Sequence, residues 1–185
     1  MHARVFAEFE TICRERAAGG DVLEIGAVPA KESLLCMRAL SGARSKVGVN
    51  LDGPSRYKDF EILAEDANDL SRFADASFDT VLSNAVLEHD AYFWRSLSEI
   101  RRVARPGGLI VIGVPGYGEV PMRRLLRFLG GIEAATPTLQ LHRFPGDYYR
   151  FSAQAVREVF LEGLEQTEVR TVLVPPRIIG VGVRC

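Results

Sequence analysis

Apolar positions along the chain change period several times, and each change marks an element. Val5, Phe6, Phe9, Ile12 and Cys13 recur every three or four residues, which predicts an amphipathic helix over 3–17, ended by Gly19 and Gly20 and expected against a sheet edge. A short apolar run, Val22 to Ile25, predicts the first strand, and Leu34, Met37 and Leu40 then mark a helix that stops near Ser41 and Gly42. Strands follow at 46–51 and 60–63, the latter running into the acidic E-D-A-N-D-L, and a loop leads to a fourth strand at 78–83. Asp90 is expected to cap a helix whose stripe is Phe93, Leu97, Ile100 and Val103, broken by Pro106, Gly107 and Gly108. Residues 109–114 are apolar except for one glycine, the pattern of a strand covered on both faces. Residues 115–150 are irregular by pattern, with a short basic helix expected at 122–129. Ser152 caps a last helix with Ala153, Val156, Val159 and Phe160 inward, and two strands, 169–174 and 178–183, are joined by Pro-Pro and expected to pair antiparallel.

Strands alternating with helices place the chain in the α/β class, and no internal repeat interrupts that order. The 185 residues, 47% apolar and 25% charged, suit one globular domain. With 23 basic and 24 acidic residues the formal charge is −1, so no global field draws nucleic acid or an anionic membrane. The first ten residues carry charges where a leader needs apolar ones, and no run approaches membrane-spanning length, so a cytoplasmic location is expected. Cys13, Cys36 and Cys185 are far apart and form no C-x-x-C pair, which argues for reduced thiols over a disulfide framework or a zinc site.

Candidate chemistry gathers where predicted strands end. In V-L-E-I-G-A-V-P-A, residues 22–30, a buried strand feeds a glycine turn and then a helix, which is the outline of a ligand cradle. Gly26 lets the backbone turn sharply, and Glu24 is a charge that an apolar core rejects unless something binds it. Strand two ends in V-G-V-N-L-D, where Asn50 and Asp52 project to one side and suit ribose hydroxyls; Asp52 equally suits the start of a D-G-P turn. Asp66 and Ala67 fall beside the same crevice, where a carboxylate accepts from an exocyclic adenine amine or simply stays solvated. His89 follows Glu88 just beyond strand four, facing the crevice or packing at a helix start. His142 sits in H-R-F-P-G-D-Y-Y-R-F, whose polar and aromatic groups favour a substrate-facing role over packing.

Taken in order, V-L-E-I-G, V-G-V-N-L-D, E-D-A-N-D-L, S-F-D-T-V-L-S-N-A-V-L-E-H, L-S-E-I-R-R-V-A-R-P-G-G and L-I-V-I-G-V-P resemble the successive motifs of class I S-adenosylmethionine-dependent methyltransferases, densely over residues 20–115. The small-molecule branch is the most similar, and H-R-F-P-G-D-Y-Y-R-F-S is more loosely similar to a segment of members acting on sugars or other metabolites. The resemblance implies a Rossmann-like three-layer α/β sandwich with a seven-stranded, mostly parallel sheet whose last strand is antiparallel. It implies S-adenosylmethionine as cofactor, with Glu24, Gly26 and Ala27 around the methionine part, Asn50 or Asp52 at the ribose, Asp66 and Ala67 at the adenine, and Asn84 to Glu88 beneath the sulfonium. Methyl transfer to a small-molecule acceptor is then the expected activity, with His142 and His89 as candidate proton-handling groups and 115–150 as an acceptor lid.

The sequence departs from the family in the first motif. Val28 and Ala30 stand where the pattern E-x-G-x-G-x-G has glycines, and Pro29 between them lacks an amide hydrogen and biases Val28 towards extended backbone. This departure keeps a second class of function open, a methyltransferase-like domain that binds a ligand or partner without transferring a group. A nicotinamide dehydrogenase fits less well, because G-x-G-x-x-G is absent.

Overall fold

The computed structural model describes residues 1–116 and 146–185. Among them run eight strands, β1 (Asp21–Ile25), β2 (Ser45–Asn50), β3 (Ser55–Tyr57), β4 (Phe60–Ala64), β5 (Phe78–Asn84), β6 (Ala104–Pro115), β7 (Leu164–Val172) and β8 (Arg177–Arg184). They form one sheet in the order β3-β4-β2-β1-β5-β6-β8-β7. Strands β4, β2, β1, β5 and β6 pair in parallel, and β8 runs antiparallel to β7, as the Pro-Pro connection implied, and also to β6. The eighth strand, beyond the seven expected, is β3. It folds back on β4 as an antiparallel hairpin with Tyr57 opposite Phe60 and Lys58 in the left-handed region at φ 51°.

Alternation along the strands decides which layer each side chain enters. Leu23, Ile25, Val81, Ile110 and Ile112 pack with Leu97, Ile100 and Val103 of helix α2 (Phe93–Val103) and with Val156 and Phe160. Val22, Leu82, Val111, Ile179 and Val181 face the other way, onto Val5, Phe9, Ile12 and Cys13 of helix α1 (Ala3–Glu15). α1 therefore lies across the face of the sheet's central strands and not against an edge, because its apolar stripe matches the buried face those strands present.

Three helical expectations change. Residues 34–36 and 38–40 form two short 3₁₀ turns in place of one helix. Asp90 precedes α2 without capping it: its carboxylate accepts from Tyr92 N at 2.7 Å and from Ser96 Oγ at 2.6 Å, while Tyr92 is the N-cap residue. Ser152 does cap a helix, accepting from Ala155 N at 3.0 Å, but after Ala153–Ala155 the chain widens into a π-helical turn, Val156–Phe160.

The two ends of the parallel strands differ chemically. At the amino end Arg105 bridges Asp79 at 2.6 Å and Asp21 at 3.0 Å, Arg44 reaches the same two carboxylates, and Asp79 also accepts from Asp21 N at 2.7 Å. Those guanidinium hydrogen bonds hold both aspartates below the usual carboxylate range, so this end is electrostatically satisfied. At the carboxyl end several buried polar atoms have no partner among the described residues. No helix among the described residues is long and apolar enough to cross a membrane.

Candidate functional site

The carboxyl end of β1 sets the first wall. Glu24, 4% exposed, turns into the layer shared with the 3₁₀ turns and accepts hydrogen bonds from Ser33 Oγ, Leu34 N at 3.0 Å and Leu35 N at 3.2 Å. Burial raises its pKa, and the three donors oppose that rise. The carboxylate takes the amides of Leu34 and Leu35, which no helix satisfies internally, and so pins the loop after Gly26 close to the strand, while extended Met37, at ψ 140°, separates the two short turns. Replacing Glu24 by alanine leaves two buried donors, Ser33 Oγ and Leu34 N, without an acceptor, while Leu35 N keeps Ser33 Oγ at 3.3 Å, and we expect a loss of about 2–4 kcal/mol in urea denaturation. Ser33→Ala, which removes one of the three, should cost about 1 kcal/mol, and equal losses for the two variants would contradict this account.

Gly26 follows with φ 80°, and a Cβ built there falls inside the Val86 side chain. The amides of Gly26 and Ala27 both donate to Val49 O, at 2.9 and 3.2 Å, which locks the turn onto the end of β2. Ala27 is fully buried, whereas Val28 is exposed. Next along the edge, half-buried Asn50 donates to Ala27 O at 2.8 Å and accepts from Asp52 N at 3.3 Å, so it braces the turn while Asp52 stays at the surface. Asp66 is exposed and accepts from Asn68 N and Nδ2 at 2.9 and 3.1 Å; Ala67 beside it is half-buried. Asn68 in turn donates to Asp90 Oδ1 at 3.0 Å, joining the β4 end to the start of α2.

The end of β5 carries the orphaned groups. Ser83 Oγ, Asn84 Oδ1 and Glu88 Oε2 are buried and make no hydrogen bond among the described residues. Asn84 donates from Nδ2 to Met1 Sδ at 3.4 Å, and a Cβ on neighbouring Gly113 would stand 2.7 Å from its Oδ1. Glu88 is 2% exposed, and burial pushes its carboxyl up to about 7 against the pull of Arg177 and Arg150. His89 Nε2 lies 3.9 Å from Glu88 Oε1. The carbonyl of Glu88 accepts from Tyr148 N at 2.8 Å and Tyr149 N at 3.2 Å, so the chain returning in the second described segment docks beside this carboxyl.

The structure thus brings Gly26, Ala27, Asn50, Asp52, Asp66, Ala67, Asn84, Glu88 and His89 to one edge of the sheet, and sets Glu24 behind it. His142 and most of 115–150 lie outside the described residues. Arg177 was not singled out from the sequence. The signal was a charge heading an apolar strand directly after Pro-Pro, and register places it opposite Pro115, at the ligand-side end of β6.

Residues 33–112 match the family described as a methyltransferase domain. An uncharacterized methyltransferase of Mycobacterium avium (strain 104) is 32% identical over 142 residues, covering 71% of this chain and 54% of that protein. The chain spans about half the length of the curated relatives it matches. Among solved structures, a SAM-dependent methyltransferase from Archaeoglobus fulgidus superposes with a TM-score of 0.68 at 13% identity, covering 98% of this chain and 93% of that one. The 1,6-didemethyltoxoflavin-N1-methyltransferase of Burkholderia thailandensis, solved with 1,6-didemethyltoxoflavin and S-adenosylhomocysteine, gives 0.65 at 17% identity, covering 97% and 77%. At those identities the two structures speak for the fold.

Proposed function

We propose that this chain, which belongs to the class I S-adenosylmethionine-dependent methyltransferases, transfers a methyl group from S-adenosylmethionine to a small-molecule acceptor. The observation that carries the reading is the set of acceptors left along the carboxyl edge: Asp52 and Asp66 at the surface, Asn84 Oδ1 and Glu88 Oε2 buried without partners among the described residues. The cofactor presents the complementary chemistry, an ammonium, ribose hydroxyls, an adenine amine and a sulfonium cation, so the residues fit the group.

In this reading Gly26 and Ala27 supply a close backbone wall, Asn50 or Asp52 takes the ribose, Asp66 and Ala67 take the adenine, and Asn84 and Glu88 line the floor near the reacting centre. Glu24 contributes through the loop it pins. When bound, the cofactor supplies a methyl group already activated by positive sulfur. What remains for the protein is alignment, an effect worth ~7–11 kcal/mol in well-oriented systems. Where the acceptor must lose a proton, Glu88, the neighbouring His89 and His142 are the groups to weigh, and a positioned base typically adds ~10²–10⁴-fold.

The test is calorimetry with S-adenosylhomocysteine followed by transfer from methyl-labelled S-adenosylmethionine to a panel of small hydroxyl, amine and carboxyl compounds. Binding with transfer supports the enzyme. Binding without transfer on the whole panel favours the non-catalytic binding domain, and absence of binding defeats the methyltransferase.

A further inference from the structure

Among the described residues, Arg177 is a half-buried cation on the ligand-side edge without an ion pair. It opens β8 directly across from Pro115, with Gly116 N donating to Pro176 O at 3.4 Å and Ile178 buried next to it, so its backbone is fixed at the mouth of the crevice. Its charged neighbours are Glu88, Arg150 and Asp147, and burial is the main influence on it, lowering its pKa. Arg150 and Asp147 satisfy one another through two hydrogen bonds of 2.6 Å. That leaves Glu88, whose Oε2 is buried without a partner, and Arg177, which has no ion pair within 4.0 Å among the described residues. A guanidinium partly withdrawn from water with no close anion is unfavourable and becomes favourable when an anion arrives.

Resting on the methyltransferase reading, we propose that Arg177 is the acceptor-recognition residue, binding a carboxylate carried by the molecule to be methylated, while Glu88 Oε2 accepts a hydrogen bond from a donor group of that same molecule. The ribose and adenine positions lie at the β2 and β4 ends of the edge and Asn84 and Glu88 lie after β5, at the reacting centre where the two ligands meet, whereas Arg177 lies beyond β6 on the side away from the ribose and adenine. The planar fork of arginine matches a carboxylate through two parallel N–H···O bonds. A phosphate dianion is disfavoured, because Glu88 and Asp147 already place acidic groups around the cation.

The test can be run before the acceptor is identified. Protein saturated with S-adenosylhomocysteine is titrated with acetate, benzoate and inorganic phosphate, following the ¹⁵N resonance of Arg177 Nε. We expect saturable shifts with acetate and benzoate, and little with phosphate. Arg177→Gln should weaken benzoate binding by roughly tenfold or more, Arg177→Lys should recover part of it, and both should bind S-adenosylhomocysteine within about twofold of wild type. Saturation by phosphate alone overturns the carboxylate assignment. No saturable shift with any of the three, or benzoate binding unchanged in Arg177→Gln, overturns the proposal. If wild type fails to bind S-adenosylhomocysteine, the methyltransferase reading falls, whereas the anion titration run without it still decides whether Arg177 is an anion site.

Discussion

Gly26→Ala is expected to lower stability by about 2–4 kcal/mol and to weaken S-adenosylhomocysteine binding at least tenfold. Two independent penalties combine. At φ 80° an alanine sits in the left-handed region, which costs about 1–2 kcal/mol for a residue with a Cβ. The new methyl also falls inside the Val86 side chain, and over-packing of that kind costs typically about 1–3 kcal/mol. The turn has little freedom to yield, since Gly26 N and Ala27 N are both bonded to Val49 O and Asn50 holds Ala27 O. The two penalties separate in a double mutant. Gly26→Ala with Val86→Ala removes the clash and keeps the backbone strain, so it should regain about half of the lost stability relative to Val86→Ala alone. Urea denaturation measures both. Full recovery would show that φ is immaterial, and no recovery would show that Val86 is.

How much of this was legible in the sequence depended on how local the cause was. The central strands declared themselves because β1, β5 and β6 are buried on both faces and read as apolar runs, and the glycine turn declared itself because no other residue suits that φ. The stripe of α1 was visible, but its place was not: Val5, Phe9 and Ile12 say only that a face is buried, and the matching face lies on strands far along the chain. The 34–40 segment has a helical spacing of Leu34, Met37 and Leu40, yet Met37 is extended at ψ 140° and divides it into two 3₁₀ turns. Spacing alone does not show a backbone break of that kind. Likewise Glu24 read from sequence as a group waiting for a ligand, because a charge in an apolar strand needs a partner, and the sequence does not show that Ser33 and two backbone amides already serve. Arg177 escaped for the same reason. Its meaning comes from Glu88, Arg150 and Asp147, which reach it only after β8 is laid against β6.

Glu88→Gln is expected to make the protein more stable above neutrality, by up to about 3 kcal/mol at pH 8. The carboxyl is buried with one oxygen unbonded, and burial moves it from 4.5 to about 7 in the folded chain. Because the folded state holds the proton more tightly than the unfolded one, the stability this group contributes is fully present below about pH 4.5 and is lost as pH rises through about 7. Glutamine keeps the shape and cannot ionise, so it escapes that loss. Thermal denaturation of the two proteins from pH 4.5 to 8.5 should therefore give curves that meet at the acid end and diverge through neutrality, the variant melting ~6–12 °C higher at pH 8. The difference between the curves isolates Glu88, since Asp21 and Asp79, both held low by their arginines, lose their contribution only under more acid conditions and do so in both proteins. Methyl transfer should move the opposite way, falling in Glu88→Gln most steeply for acceptors that must give up a proton, because an amide cannot take one. A gain in stability with a loss of turnover is the signature of a strained group kept for function. Parallel melting curves across the whole range would show that the carboxyl titrates as an ordinary glutamate and has no such role.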